Sequence, residues 1–76
     1  MDYNEDAVDD ATLALMFLTL THGETATWKG YDWETTQRLH EKGFLENPRT
    51  RNKSIGITEE GVARCKKLFI EMFGSS

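Results

Sequence analysis

The chain is poor in the residues that make many small proteins easy to classify. Its 76 residues include one cysteine, Cys65, and one proline, Pro48. A single thiol cannot build a disulfide framework, and it points to a reducing, cytoplasmic setting. No apolar run is long. The longest, around Leu13–Leu20, falls far short of the ~20 residues that span a bilayer, so no membrane partner is expected. The opening residues, MDYNEDAVDD, are acidic where a secretory signal needs a basic start. In the absence of such a signal, Asn52-Lys53-Ser54 reads as a chance glycosylation sequon.

Catalytic signatures are equally scarce. The sequence has no Gly-rich phosphate loop, no Gly-x-Ser-x-Gly and no His-Glu-x-x-His. His22, His40 and Cys65 are too far apart to form a metal-ligand spacing. His40 and Glu41 do not make an acid–base pair, because adjacent residues of a helix point to different sides. His40 reads as a helix-face side chain packing its ring against a hairpin, and Cys65 as a small core residue. Asp2, Glu5, Asp6, Asp9 and Asp10 cluster without the spacing of a calcium loop. They read as a solvated tail with helix-capping charges. No enzymatic activity, cofactor or metal site is expected.

A mass of 8.7 kDa allows one domain. Surface scaling gives a folded surface of about 4,700 Å², which leaves only a small core. Residues 1–8 read as a flexible acidic N-terminus, and residues 9–74 as a single domain. A first helix is expected from Asp9 to Thr21. It carries one apolar stripe of Ala11, Ala14, Leu15 and Leu18 and a second of Leu13, Met16, Phe17 and Leu20. One stripe is normal for a surface helix. Two call either for a dimer interface, through Leu13, Met16, Phe17 and Leu20, or for a central helix wrapped by its own chain. Residues 22–31 read as an irregular connection. A second helix, Trp33–Lys42, is capped by Asp32 and stopped by Gly43. Phe44–Glu46 and Ser54–Ile57 read as strands flanking a basic turn, with Pro48 confined to a strand end. A third helix opens at Thr58, Glu59 and Glu60 and carries Val62, Cys65, Leu68, Phe69, Met72 and Phe73 at helical spacing. The end, Gly74-Ser75-Ser76, reads as frayed.

The phrase Arg38-Leu39-His40-Glu41-Lys42-Gly43-Phe44-Leu45, the hairpin, and Ile57-Thr58-Glu59-Glu60-Gly61 together resemble a winged helix-turn-helix regulator. The resemblance implies an α+β, winged-helix-like domain of three main helices with a two-stranded β-hairpin wing. The segment before the second helix, ETATWKGY, departs from that pattern, because a full helix belongs there. The whole chain also resembles a family of short bacterial proteins whose domain has no known function. Ala14-Leu15-Met16-Phe17-Leu18-Thr19-Leu20, Trp28-Lys29-Gly30-Tyr31-Asp32-Trp33 and Arg38-Leu39-His40-Glu41-Lys42-Gly43 carry that resemblance. It implies no activity.

Charge is the most informative functional feature. The net charge of -4 averages two unlike halves. Residues 1–34 hold eight acidic groups against Lys29, a net of -7, and residues 35–76 hold eight basic and five acidic groups, a net of +3. Gln37, Arg38 and Lys42 on the second helix, with Arg49, Arg51 and Lys53 on the wing, form a candidate nucleic-acid surface. The expected function is a small non-enzymatic regulatory or binding protein, contacting double-stranded DNA weakly through helix 32–42 and the basic hairpin. The alternative is a protein-interaction module, an adaptor or a phage- or plasmid-borne modulator, that keeps the fold without binding DNA. Trp28, Tyr31 and Trp33 supply either an exposed protein-binding hot spot or bulk to a core short of large residues. A homodimer is the expected assembly.

Overall fold

The computed structural model describes residues 2–74. Met1, Ser75 and Ser76 lie outside the described residues, so the frayed end expected at Ser75 and Ser76 falls there too. The first helix, α1 (Glu5–Met16), begins four residues before the expected Asp9. Asn4 is the cap: its side-chain oxygen accepts from the Ala7 N–H at 3.1 Å. Glu5 and Asp6 then fall in the first turn, where the helix dipole favours acidic groups. The helix also ends early and tightens into a short turn, Phe17–Thr19. Two threonine hydroxyls take up the freed Met16 carbonyl, Thr27 donating at 2.9 Å and Thr19 at 3.3 Å. Such side-chain donors satisfy the orphan carbonyls of a helix end.

The connection after this turn is not irregular throughout. It contains β1 (Ala26–Trp28), paired antiparallel with β2 (Ser54–Gly56) so that Thr27 faces Ile55. Threonine and tryptophan favour an extended pleat, but three residues between Gly23 and Gly30 make a weak sequence signal. The 44–46 arm lies along the other side of β2. It is held by one bridge, Leu45 to Ile57, and by the Glu46 N–H donating to the Gly56 carbonyl at 2.8 Å. Between β1 and β2 runs α2 (Trp33–Glu41), capped by Asp32 and ended by Gly43, whose φ of +87° suits a residue without a Cβ. The chain closes with α3 (Glu59–Phe73), capped by the Thr58 hydroxyl. The layout is the expected α+β, winged-helix-like one: three helices with an antiparallel strand pair.

Leu13, Ala14 and Met16 of α1 meet Leu39, Leu45, Ile55, Ile57, Cys65 and Leu68 in one core. Phe17 packs on Phe69 with ring centroids 4.7 Å apart. This placement corrects the expected dimer interface. Leu13 and Met16 are wholly buried in the chain's own core, and Phe17 and Leu20 pack partly buried against it. The molecule is a slab, 38 × 36 × 18 Å, too thin to cover both sides of α1. The uncovered side carries Val8 and Leu15, and the turn that follows adds Leu18, 66% exposed. Leu13→Ala should therefore lower stability by about 2–5 kcal/mol through lost burial and a residual cavity. Leu18→Ala should stay within about 0.5 kcal/mol of the wild type. Urea unfolding midpoints of the two variants check this.

Candidate functional site

Charge places α2 against α1. Glu5, Asp6 and Asp9 share one side of α1, and Arg38 and Lys42 stand one turn apart on α2. The Arg38 Nε donates to both Asp9 oxygens, at 2.9 and 3.0 Å, and an Arg38 Nη lies 2.8 Å from Asp9 Oδ1. The other Nη reaches Glu5 at 3.1 Å. The Lys42 Nζ donates to Asp9 Oδ2 at 2.8 Å and to Asp6 Oδ1 at 2.9 Å. Thr35 completes the cluster: its hydroxyl donates to Asp32 at 3.1 Å and accepts from Arg38 at 3.3 Å. Asp9 itself has no exposed surface. Burial alone would raise its pKa, but the hydrogen bonds from Arg38 and Lys42 outweigh that and hold the carboxyl below its ordinary value. The same bonds to Asp9 raise Arg38 and Lys42 above theirs.

A second group of charges stands apart from this cluster. Arg49, Arg51 and Lys53 lie exposed on the loop between the 44–46 arm and β2, with no carboxylate in ion-pair range among the described residues. Lys29 organises the loop. Its Nζ donates to the Pro48 carbonyl at 3.1 Å, to the Thr50 hydroxyl at 2.8 Å and to the Thr50 carbonyl. Its own N–H donates to the Lys53 carbonyl at 3.0 Å. Pro48 is buried within this loop and lies outside both strands, where its missing N–H costs no ladder bond.

Aromatic groups border the same loop. Trp28 is 48% exposed and Trp33 50%, so neither serves mainly as core bulk. Tyr31 packs against the core and meets Trp28 edge-on, with centroids 5.7 Å apart; burial raises the Tyr31 hydroxyl above its ordinary pKa. A hollow of about 250 Å³ lies between Tyr31 and Trp33 on one side and Pro48 and Arg49 on the other.

The residues expected to touch nucleic acid therefore divide. Arg49, Arg51 and Lys53 are outward-facing cations. Arg38 and Lys42 are engaged by Asp9, and the amide oxygen of Gln37 is buried without a partner while its amide nitrogen approaches Glu41 at 3.5 Å. This corrects the candidate nucleic-acid surface at Arg38 and Lys42, whose charged groups face Asp9 instead of an outside partner. His40 is placed much as expected, its Nδ1–H donating to the Leu45 carbonyl at 2.9 Å. A carbonyl only accepts, so this bond fixes the tautomer. Sequence reading missed Glu5, Asp6 and Asp9 as partners of α2. A signal was present in the matching spacing, Glu5 to Asp9 against Arg38 to Lys42, four residues apart in each case. It was masked because residues 1–8 read as a tail.

The Asp9 cluster has a direct consequence for stability. Asp9→Asn leaves Arg38 and Lys42 without their shared counter-charge and should cost about 3 kcal/mol, near the lower end for a broken buried pair because both cations keep some access to water. A carboxyl whose folded pKa lies below its ordinary 3.8 stabilises fully at neutral pH. That contribution is lost as pH falls through this ordinary value toward the lower folded one. Urea midpoints against pH should show a steeper acid loss in the wild type than in Asp9→Asn.

Comparison with known proteins places the chain in a family and attaches no activity to it. Residues 4–75 match the family described as Domain of unknown function (DUF6429). The chain is similar to the uncharacterized protein y4hR of Sinorhizobium fredii (strain NBRC 101917 / NGR234), 49% identical over 73 residues, which cover 96% of this chain and 97% of that protein. No solved structure matches. With nearly the whole chain matched at both levels, the protein belongs to this bacterial family of unknown function.

Proposed function

We propose that the protein is a small, non-enzymatic, cytoplasmic binding protein that holds an anionic partner on the face built from Trp28–Trp33 and the 46–53 loop, not on α2. One observation carries this reading. The cations of α2 are neutralised within the chain, whereas those of the loop stand exposed and uncompensated among the described residues. The winged-helix-like layout supports contact through the wing, and the inward turn of Arg38 and Lys42 argues against a helix seated in a major groove. The lone, buried Cys65 suits a reducing compartment. Heparin serves as a generic polyanion to test the face. Followed by amide and indole proton–nitrogen spectra, it should shift Arg49–Lys53 and the Trp28 and Trp33 indoles. Shifts confined to Gln37–Lys42 would refute the assignment.

A second reading, self-association, rests on the uncovered side of α1. Val8, Ala11 and Leu15 recur on α1 at i, i+3 and i+7, the spacing of a coiled-coil seam, and the exposed Leu18 follows in the Phe17–Thr19 turn. Glu5, Asp6, Asp9 and Asp10 all point to ion pairs with α2 or α3. Two copies can therefore meet along this seam without opposing like charges. Light scattering should give about twice the 8.7 kDa chain mass, reduced to one chain by Leu15→Glu with Leu18→Glu. A single-chain mass for the wild type at high concentration would remove the dimer.

A further inference from the structure

We propose that this face binds single-stranded nucleic acid, with Trp28 and Trp33 as stacking platforms for bases and Arg49, Arg51 and Lys53 as phosphate contacts; the proposal rests on the reading of the face given above. Three hollows adjoin along it. The first lies between Trp33 and Arg49 and includes Lys29. The second, also touching Lys29, lies between Trp28 and Lys53. The third continues past the same Trp28 and Lys53 to the hydroxyls of Thr19, Thr21 and Ser54. Trp33, Trp28, Arg49 and Lys53 thus border neighbouring hollows that share lining residues, and Arg51 stands exposed on the same loop. A polymer of alternating flat bases and phosphates matches this arrangement, and stacking with backbone neutralisation is how sequence-tolerant single-strand binding works.

The platform at Trp28 is built rather than incidental. A Cβ at Gly30 would collide with the six-membered ring of the Trp28 indole, so the ring lies directly on the Gly30 backbone. Tyr31 packs against the same indole in a T-shaped pair. The ring is therefore fixed in place yet about half open to solvent. Lys29 fixes the loop in the same way, through its bonds at Pro48 and Thr50. The acidic groups nearest in the chain are Asp32, Glu34 and Glu46, and the Asp32 carboxylate is engaged at Thr35. A duplex suits the face poorly. Its bases stack on one another and leave no free ring surface for the indoles, and the cations of the helix that would enter the groove, Arg38 and Lys42, are paired with carboxylates. An acidic peptide would use the cations but has no need of two indoles.

The test uses the full chain and a fluorescein-labelled oligothymidylate of about 20 nucleotides, longer than the ~4–16 that one small domain covers. Anisotropy at low salt should show binding, with quenching of tryptophan fluorescence. Trp28→Leu and Trp33→Leu should each weaken it at least about tenfold. Gly30→Ala, which displaces the Trp28 ring without changing any charge, should weaken it in the same direction. Arg49→Ala, Arg51→Ala and Lys53→Ala together should weaken it and flatten its salt dependence. Thermal melts confirm that each variant is folded. An abasic strand of equal length bound as tightly as oligothymidylate, with no loss in the tryptophan variants, overturns stacking and leaves the anion-binding face standing. Tighter binding of a duplex or of polyglutamate overturns the single-strand assignment in favour of that partner. Failure to bind the oligonucleotide, the duplex, polyglutamate and heparin overturns this proposal and the face together.

Discussion

The buried carboxylate of Asp9 governs the rest of the molecule. A charge with no solvent exposure in an 8.7 kDa chain must be compensated on the spot. Arg38 and Lys42 do this from α2 with four contacts of 2.8–3.0 Å to its two oxygens. That bonding fixes how α2 lies on α1 and keeps Thr35, Thr36 and Leu39 buried beneath it. It also carries the acidic start of the chain into the fold, because Glu5 and Asp6 complete the ligation of the same two cations. The opposite charges of the two sequence halves meet along this seam.

This arrangement decides which surfaces remain for a partner. A winged-helix-like layout would ordinarily offer its second helix first. Here Arg38 and Lys42 already have partners, so the outward cations of the helix-and-wing unit are those of the 46–53 loop. The loop in turn is shaped by Lys29, a cation used internally to gather two carbonyls and a hydroxyl. Structure is thus bought with Lys29, Arg38 and Lys42, and display falls to Arg49, Arg51 and Lys53. The indoles follow the same division. The core is filled by Leu13, Met16, Leu39, Leu45, Ile55, Ile57 and Leu68, while Trp28 and Trp33 remain at its rim.

Much of the fold was legible because it depends on local chemistry. Asp32, Gly43 and Thr58 mark helix ends through side-chain caps and a positive φ, and each acts within a few residues of itself. Cys65 and Leu68 fall on the buried stripe that their spacing predicts. What escaped notice depends on contacts distant in sequence. Thr27 becomes a strand residue because Ile55 lies opposite it and its hydroxyl reaches the Met16 carbonyl. Arg38 looks free in the sequence because the groups that hold it stand 29 and 33 residues away. Of the two expected apolar stripes, the one with Ala14 and Leu15 is split, since Ala14 joins the core. The chain covers the side carrying Leu13 and Met16 and leaves Leu15 and Leu18 open.

The contrast between Arg38 and Arg49 shows why a count of basic residues is a poor guide to this protein. Both are arginines in the basic half, and both belong to the helix and wing that the sequence suggests as a binding unit. Arg38 stands against three carboxylate oxygens, and any outside anion must compete with a counter-charge already desolvated beside it. Arg49 has its N–H held by the Asn47 side chain at 2.9 Å, while its guanidinium remains exposed beside Trp33 and Pro48. An anion reaching Arg49 displaces only water. Equal charges therefore differ in function through their neighbours, and the neighbours of the loop cations are flat, apolar and accessible.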